Sequence, residues 1–161
     1  MFTVVGMRKL HSWTHSSITL VLDHLATIPE VDYAKELSDF GFPTLRAQIL
    51  HVFNCEGFWI HTLQSARFED EEPGNWPSVP DAKVLQRRVS AKTLAYLAGL
   101  TDEQLNADTE LHFPDGDKAI RTPALVLHHI FTHAYHHKGQ IVSMCRTLGH
   151  PAPDTDLNQF E

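Results

Sequence analysis

His133 and His137 stand one helical turn apart in a stretch that is otherwise apolar along the same side. The stretch reads Thr122-Pro-Ala-Leu-Val-Leu-His-His-Ile-Phe-Thr-His-Ala-Tyr-His-His-Lys-Gly-Gln-Ile-Val-Ser-Met-Cys-Arg-Thr-Leu-Gly149. At about 100° per residue, Val126, Ile130, Ile141, Met144 and Leu148 share one arc of a helix, and His133 and His137 fall within it. His128, His129 and His136 fall outside that arc or at its edge. Two imidazoles turned into a core lose their hydration and need something to bind them. A divalent metal ion is the economical partner for a pair at that spacing.

Two histidines from one helix leave such a site short of a third ligand. His51 is the candidate, at the flank of an apolar stripe near Gln48, Cys55 and Thr62. A lone histidine in that position also reads as a packed, hydrogen-bonded core residue, so spacing alone leaves the choice open. His61 falls in a polar arc, His15 is expected to face solvent, and His11 and His24 are marginal. Glu56 is either a general base or a carboxylate paired near the end of the bundle. Cys55 reads as a small buried apolar group, with a redox or ligand role as the alternative. Gln140 and His136 lie close enough to the ligand face to orient it.

Four helical segments carry these residues. The first is predicted from Arg8 to Ile28, ended by Pro29. The second follows Phe42-Pro-Thr44 to Leu63, with Leu45, Ile49, Val52, Ile60 and Leu63 as its stripe. The third spans Asp81 to Ala98 and is closed by Gly99. In the fourth, Thr122 caps, Pro123 takes the first position, and Gly149 with Pro151 stops it. Thr101-Asp-Glu-Gln104 has the form of a capping box and predicts a short extra turn. Glu110–Phe113 and Lys118–Arg121 flank Pro114-Asp-Gly-Asp117 as a small hairpin. The connections 29–43 and 65–80 are longer than antiparallel neighbours need. The expected fold is an all-α four-helix bundle with long crossover connections and a small hairpin before the last helix, in a single domain over residues 1–161. Trp76 is expected to anchor the second connection.

Composition bounds the function. At 161 residues the chain supports one sizeable core, and 42% hydrophobic with 20% charged residues is ordinary for a globular protein. A net charge of −7 argues against a nucleic-acid partner, which asks for a basic face. The acidic run Glu69–Glu72 reads as a solvated loop. Two cysteines provide no disulfide framework, and neither a secretory signal nor a membrane-spanning run is visible. The expected location is the cytoplasm, with no membrane association. No Gly-x-Ser-x-Gly elbow, Walker loop or dinucleotide fingerprint is present.

Two stretches resemble the DinB family. Phe40-Gly-Phe-Pro-Thr-Leu-Arg46 with Ile49-Leu-His-Val-Phe-Asn-Cys-Glu-Gly-Phe-Trp59 is similar to that family's second helix. His129-Ile-Phe-Thr-His133-Ala-Tyr-His136-His137-Lys-Gly-Gln-Ile141 is similar to its fourth-helix motif, with Lys138 where Arg is common. The tail from Leu148 to Leu157 also matches. The resemblance implies a four-helix bundle, often dimeric, with a three-histidine metal site whose ligands fall on His51, His133 and His137. It further implies zinc or nickel as the cofactor, a small-molecule substrate, and thiol-dependent transfer or isomerisation among relatives. The expectation is therefore a metal-dependent enzyme transferring a low-molecular-weight thiol to a small electrophile. A metal-dependent hydrolase using bound water and a non-catalytic, metal-stabilised dimeric bundle are the alternatives.

Overall fold

A computed structural model describes residues 1–160. Four long helices form a bundle: α1 (Val4–Leu25), α3 (Leu45–Leu63), α4 (Val79–Ala98) and α6 (Pro123–Thr147). Short helices α2 (Glu30–Tyr33) and α5 (Asp102–Asn106) lie in the connections. Strands β1 (Thr109–His112) and β2 (Lys118–Arg121) pair antiparallel, with Thr109 opposite Arg121 and His112 opposite Lys118.

α1 packs on α4 and α6, and α3 packs on the same two helices. Hence α1 and α3, the first two long helices in the chain, occupy diagonal corners. The connection between them must cross the end of the bundle, which is why it is long. Among the described residues no helix is long and apolar enough to cross a membrane.

Local chemistry sets the helix ends. Thr44 begins α3 with its hydroxyl accepting from Ala47 N at 3.0 Å, and Thr122 begins α6 by accepting from Leu125 N at 3.2 Å. Thr101 and Gln104 form the expected capping box of α5. The hairpin turns at Gly116, whose φ of +92° suits a residue without a Cβ. Two helices start earlier than their apolar periodicity. α1 begins at Val4 rather than Arg8 because Thr3 accepts from Gly6 N, and it ends at Leu25 rather than Ile28. α4 begins at Val79 because Ser78 and Asp81 form a second capping box, which tolerates Pro80 in the first turn.

The core is divided. One apolar cluster includes Ile18, Leu22, Ile49, Phe53, Val89, Ile141 and Met144, and the other Met7, Ile60, Leu97, Leu127, Ile130 and Phe131. Along α1 the side chains between them are His11, Thr14 and His15. On α3 the dividing residue is Glu56, and on α4 it is Thr93. A stratum of buried polar groups thus cuts the apolar interior across its middle.

The 64–78 connection is tied to α3 rather than left free. Phe68 packs so closely on Gly57 that a Cβ there would meet its ring at 2.7 Å. Asn54 donates to Glu71 O and accepts from Glu71 N, both at 3.0 Å. Trp76 donates to Glu71 Oε2 at 2.9 Å, and Arg88 pairs with the Glu71 carboxylate while stacking on the Trp76 ring. Trp76 anchors the loop as expected. The acidic run is solvated at Glu69, Asp70 and Glu72 as expected, and Glu71 is the exception, held on three sides.

Candidate metal centre

His51 leaves the flank of α3 toward α6, where His133 and His137 project one turn apart from the facing side. One donor atom from each of the three imidazoles lies within 4.8 Å of one from each of the others. His133 Nε2 sits 3.1 Å from His51 Nε2, and the ring centroids of His133 and His137 are 4.3 Å apart. Nitrogens on an ion at about 2.0–2.1 Å are roughly 3.0–3.4 Å from one another, so this spacing suits a shared ion. All three donors are imidazoles with no carboxylate among them, a set that accepts zinc or nickel and leaves coordination positions open.

The ring of His137 is held by a directional chain. Its Nδ1–H donates to Gln48 Oε1 at 2.8 Å, Gln48 Nε2 donates to Gln140 Oε1 at 2.8 Å, and Gln140 Nε2 donates to His136 Nε2 at 2.9 Å. With its proton committed to Nδ1, His137 presents the Nε2 lone pair toward the other two rings. Phe42 stacks on His51 with centroids 3.8 Å apart, which restrains that ring. Gln48 is fully buried and its removal would leave His137 unoriented. A Gln48→Leu variant is expected to bind zinc about 10–100-fold more weakly, read by competition with a chromophoric chelator. Unchanged affinity would remove Gln48 from this role.

Electrostatics keep the donors unprotonated. Burial, then the neighbouring imidazoles, pushes His133 down to about 3 and His137 down to about 4. Burial also lowers His51, against the opposing pull of Asp70. In the unfolded chain these side chains titrate near 6.5. Below that pH the unfolded state binds more protons than the folded one, so metal-free protein loses stability as pH falls from about 6.5 toward 4. The Glu56 carboxyl would be raised by burial, but His15 and His11 outweigh that and hold it below the usual carboxylate range. Its contribution is present above about 4.5 and is lost at lower pH. Urea midpoints of metal-free protein are therefore expected to decline between pH 7 and pH 5 and to fall further below 4.5. A flat midpoint from pH 8 to pH 4 would contradict both assignments.

A cleft of about 570 Å³ opens beside His51 and His133. Phe42, Phe58 and Trp59 form apolar walls, and Asp70 and Glu72 stand on the acidic side. Cys55 also lines it, but burial, helped by the Glu56 charge, pushes its thiol up to about 12. It remains protonated at neutral pH and is a poor nucleophile.

The structure thus brings together His51, His133 and His137, and places Gln140 and His136 behind His137. It corrects two other assignments. His15 does not face solvent: its Nε2 lies 3.0 Å from Glu56 Oε2, inside the bundle. Glu56 pairs at mid-height rather than near the bundle end, with His11, His15 and Thr93 around it. The role of Gln48 was not read from the sequence, although its place one turn before His51 was a usable signal.

The fold and the histidine cluster together define a class: helical bundles with a metal-competent, histidine-lined centre between two helices. The chain belongs to the DinB family, whose model matches residues 1–161. Among its relatives is Protein DinB of Bacillus subtilis (strain 168), 22% identical over 160 residues, covering 94% of this chain and 91% of the relative. The uncharacterized protein YjoA of the same organism is 26% identical over 140 residues, covering 87% and 88%. A crystal structure of a DinB-like protein from Bacillus cereus ATCC 10987 superposes with a TM-score of 0.73 at 21% identity, over 96% of this chain and 99% of that one. The YjoA crystal structure follows with a TM-score of 0.58 at 23% identity, over 92% and 98%. At these identities the solved structures establish the shared fold.

Proposed function

We propose that His51, His133 and His137 hold a divalent ion, zinc or nickel, and that the chain is an enzyme transferring a low-molecular-weight thiol to a small electrophile. The observation that carries this reading is the convergence of three neutral imidazoles at the edge of an open, aromatic-walled cleft. An ion held by neutral donors keeps its full charge and favours the thiolate form of a thiol brought against it. Phe42, Phe58 and Trp59 supply apolar surface for an electrophile. The chain from His137 through Gln48 and Gln140 to His136 keeps the donor ring aimed. Cys55, being protonated, does not supply the nucleophile, so the thiol comes from a cosubstrate. In the transfer the thiol proton passes to solvent as the thiolate forms. A sulfur–carbon bond then forms, and the bond from that carbon to its leaving group breaks with its electron pair going to the leaving group.

A second reading rests on Asp70, which lines the same cleft close enough to His51 to influence its titration. A carboxylate there accepts the proton of an attacking water, which would make the protein a metal-dependent hydrolase. One assay separates the two. Untagged protein loaded with zinc or nickel is incubated with chlorodinitrobenzene and, in turn, bacillithiol, mycothiol and glutathione, and separately with nitrophenyl esters without thiol. Conjugation that requires both metal and one thiol supports transfer. Ester turnover without thiol supports hydrolysis, and no turnover of either kind moves the site to a structural role. We further propose that the acidic chain acts without a nucleic-acid partner and as a homodimer.

A further inference from the structure

The second cluster of metal-competent side chains lies across α3 from the first. His11 and His15 repeat on α1 the one-turn spacing of His133 and His137 on α6, and both point at Glu56 of α3. His11 Nε2 is 3.2 Å from Glu56 Oε1, and His15 Nε2 is 3.0 Å from Oε2 and 3.3 Å from Oε1. Thr93 Oγ1 of α4 donates to Oε1 at 2.5 Å, which leaves Oε2 facing His15 alone. One donor atom from each of His11, His15 and Glu56 lies within 4.8 Å of the others.

Charge balance is what turns this cluster from packing into a site. Glu56 is 4% exposed, and among the described residues its ion-pair partners are these two histidines, with no Lys or Arg. With no Lys or Arg paired to it, the Glu56 carboxylate depends on these two imidazoles alone to offset its charge inside the bundle. A divalent cation offsets that charge, leaving the site net positive and able to take an anionic or water ligand, without requiring either histidine to be protonated. Two histidines and one carboxylate are a ligand set that suits first-row divalent ions and keeps positions open. The open side is present: a cleft of about 570 Å³ reaches His11 and His15 from the surface, lined by Ser12, Ser16, Thr19 and Ser90, with Arg8 and Leu94 also on its wall.

We propose that His11, His15 and Glu56 form a second divalent-metal site, independent of the three-histidine centre and opening on a different face of the bundle. His51 and Glu56 are five residues apart on α3, so they leave that helix in directions about 140° apart. This chain accordingly takes up two equivalents of metal rather than one.

The test uses a His133→Ala/His137→Ala double variant, which lacks two donors of the first centre, titrated with cobalt(II). The expected result is one equivalent bound, with visible d–d absorption. Adding His15→Asn, which keeps a polar side chain beside Glu56, is expected to weaken binding at least about 100-fold while far-UV circular dichroism stays unchanged. Glu56→Gln, which keeps the side-chain volume, is expected to do the same. Absence of cobalt binding in the folded double variant overturns the proposal. So does cobalt binding that survives both His15→Asn and Glu56→Gln.

Discussion

Replacing His133 by alanine is expected to remove one equivalent of bound metal. His133 contributes one of three donors, and its Nε2 is the atom in contact with His51. Two remaining imidazoles, His51 and His137, cannot enclose a divalent ion against exchange with water. The loss should be visible by elemental analysis of untagged protein and should abolish metal-dependent turnover. The substitution should not unfold the chain, because His133 is only partly buried and its polar contact in metal-free protein is the single one to His51. The stability difference therefore belongs to the loaded state. An ion at 100 times its dissociation constant stabilises the folded chain by about 2.7 kcal/mol. Zinc should raise the melting temperature of the parent chain by more than that of the variant. Equal metal content in both proteins would show that His133 is not a ligand.

Glu56→Ala is expected to destabilise the bundle as strongly as truncating a large core side chain. The carboxylate is buried and accepts from Thr93, with His11 and His15 on its remaining lone pairs. Alanine removes the acceptor for all three and leaves a cavity where packing cannot close. Breaking a buried pair in this way costs about 3–5 kcal/mol. For a domain of this size that corresponds to a melting-temperature drop of roughly 6–20 °C. The comparison should be made on metal-free protein, so that ligand loss does not contribute. Glu56→Gln retains an acceptor for Thr93 and should cost about half as much. A drop of less than about 2 °C for Glu56→Ala would mean that the carboxylate is dispensable for the fold.

Much of this architecture was legible in the chain because it rests on local chemistry. Thr122 and Pro123 specify the start of α6, Thr101 and Gln104 specify α5, and Pro114-Asp-Gly-Asp117 specifies the hairpin, all through bonds within a few residues. His133 and His137 were legible for the same reason, since both lie inside an apolar arc of one helix. The start of α1 was less so, because Thr3 acts as a cap ahead of the periodic residues. His15 was misread for a deeper reason. Placing residues by apolar arc assumes that the interior is apolar, and here the interior includes a polar stratum. A histidine whose partner is a glutamate on a diagonal helix looks solvent-facing until the two helices are brought together. The 64–78 connection was illegible for a related reason, since Asn54, Glu71 and Arg88 meet only through tertiary contacts.

That stratum has a consequence for how the four helices find their alignment along the bundle axis. An apolar interface of leucines and isoleucines tolerates sliding, because one branched side chain replaces another when a helix shifts by a turn. Shifting α3 by one turn, about 5.4 Å, carries Glu56 away from His11, His15 and Thr93 and into the level of Ile60 and Leu97 or of Phe53 and Val89. Either displacement strands a carboxylate among hydrocarbon, so alternative alignments are penalised by several kcal/mol while the native one is not. The polar layer therefore acts as an index mark for assembly. It sets the height at which α3 stops, and with it the height at which His51 meets His133 and His137.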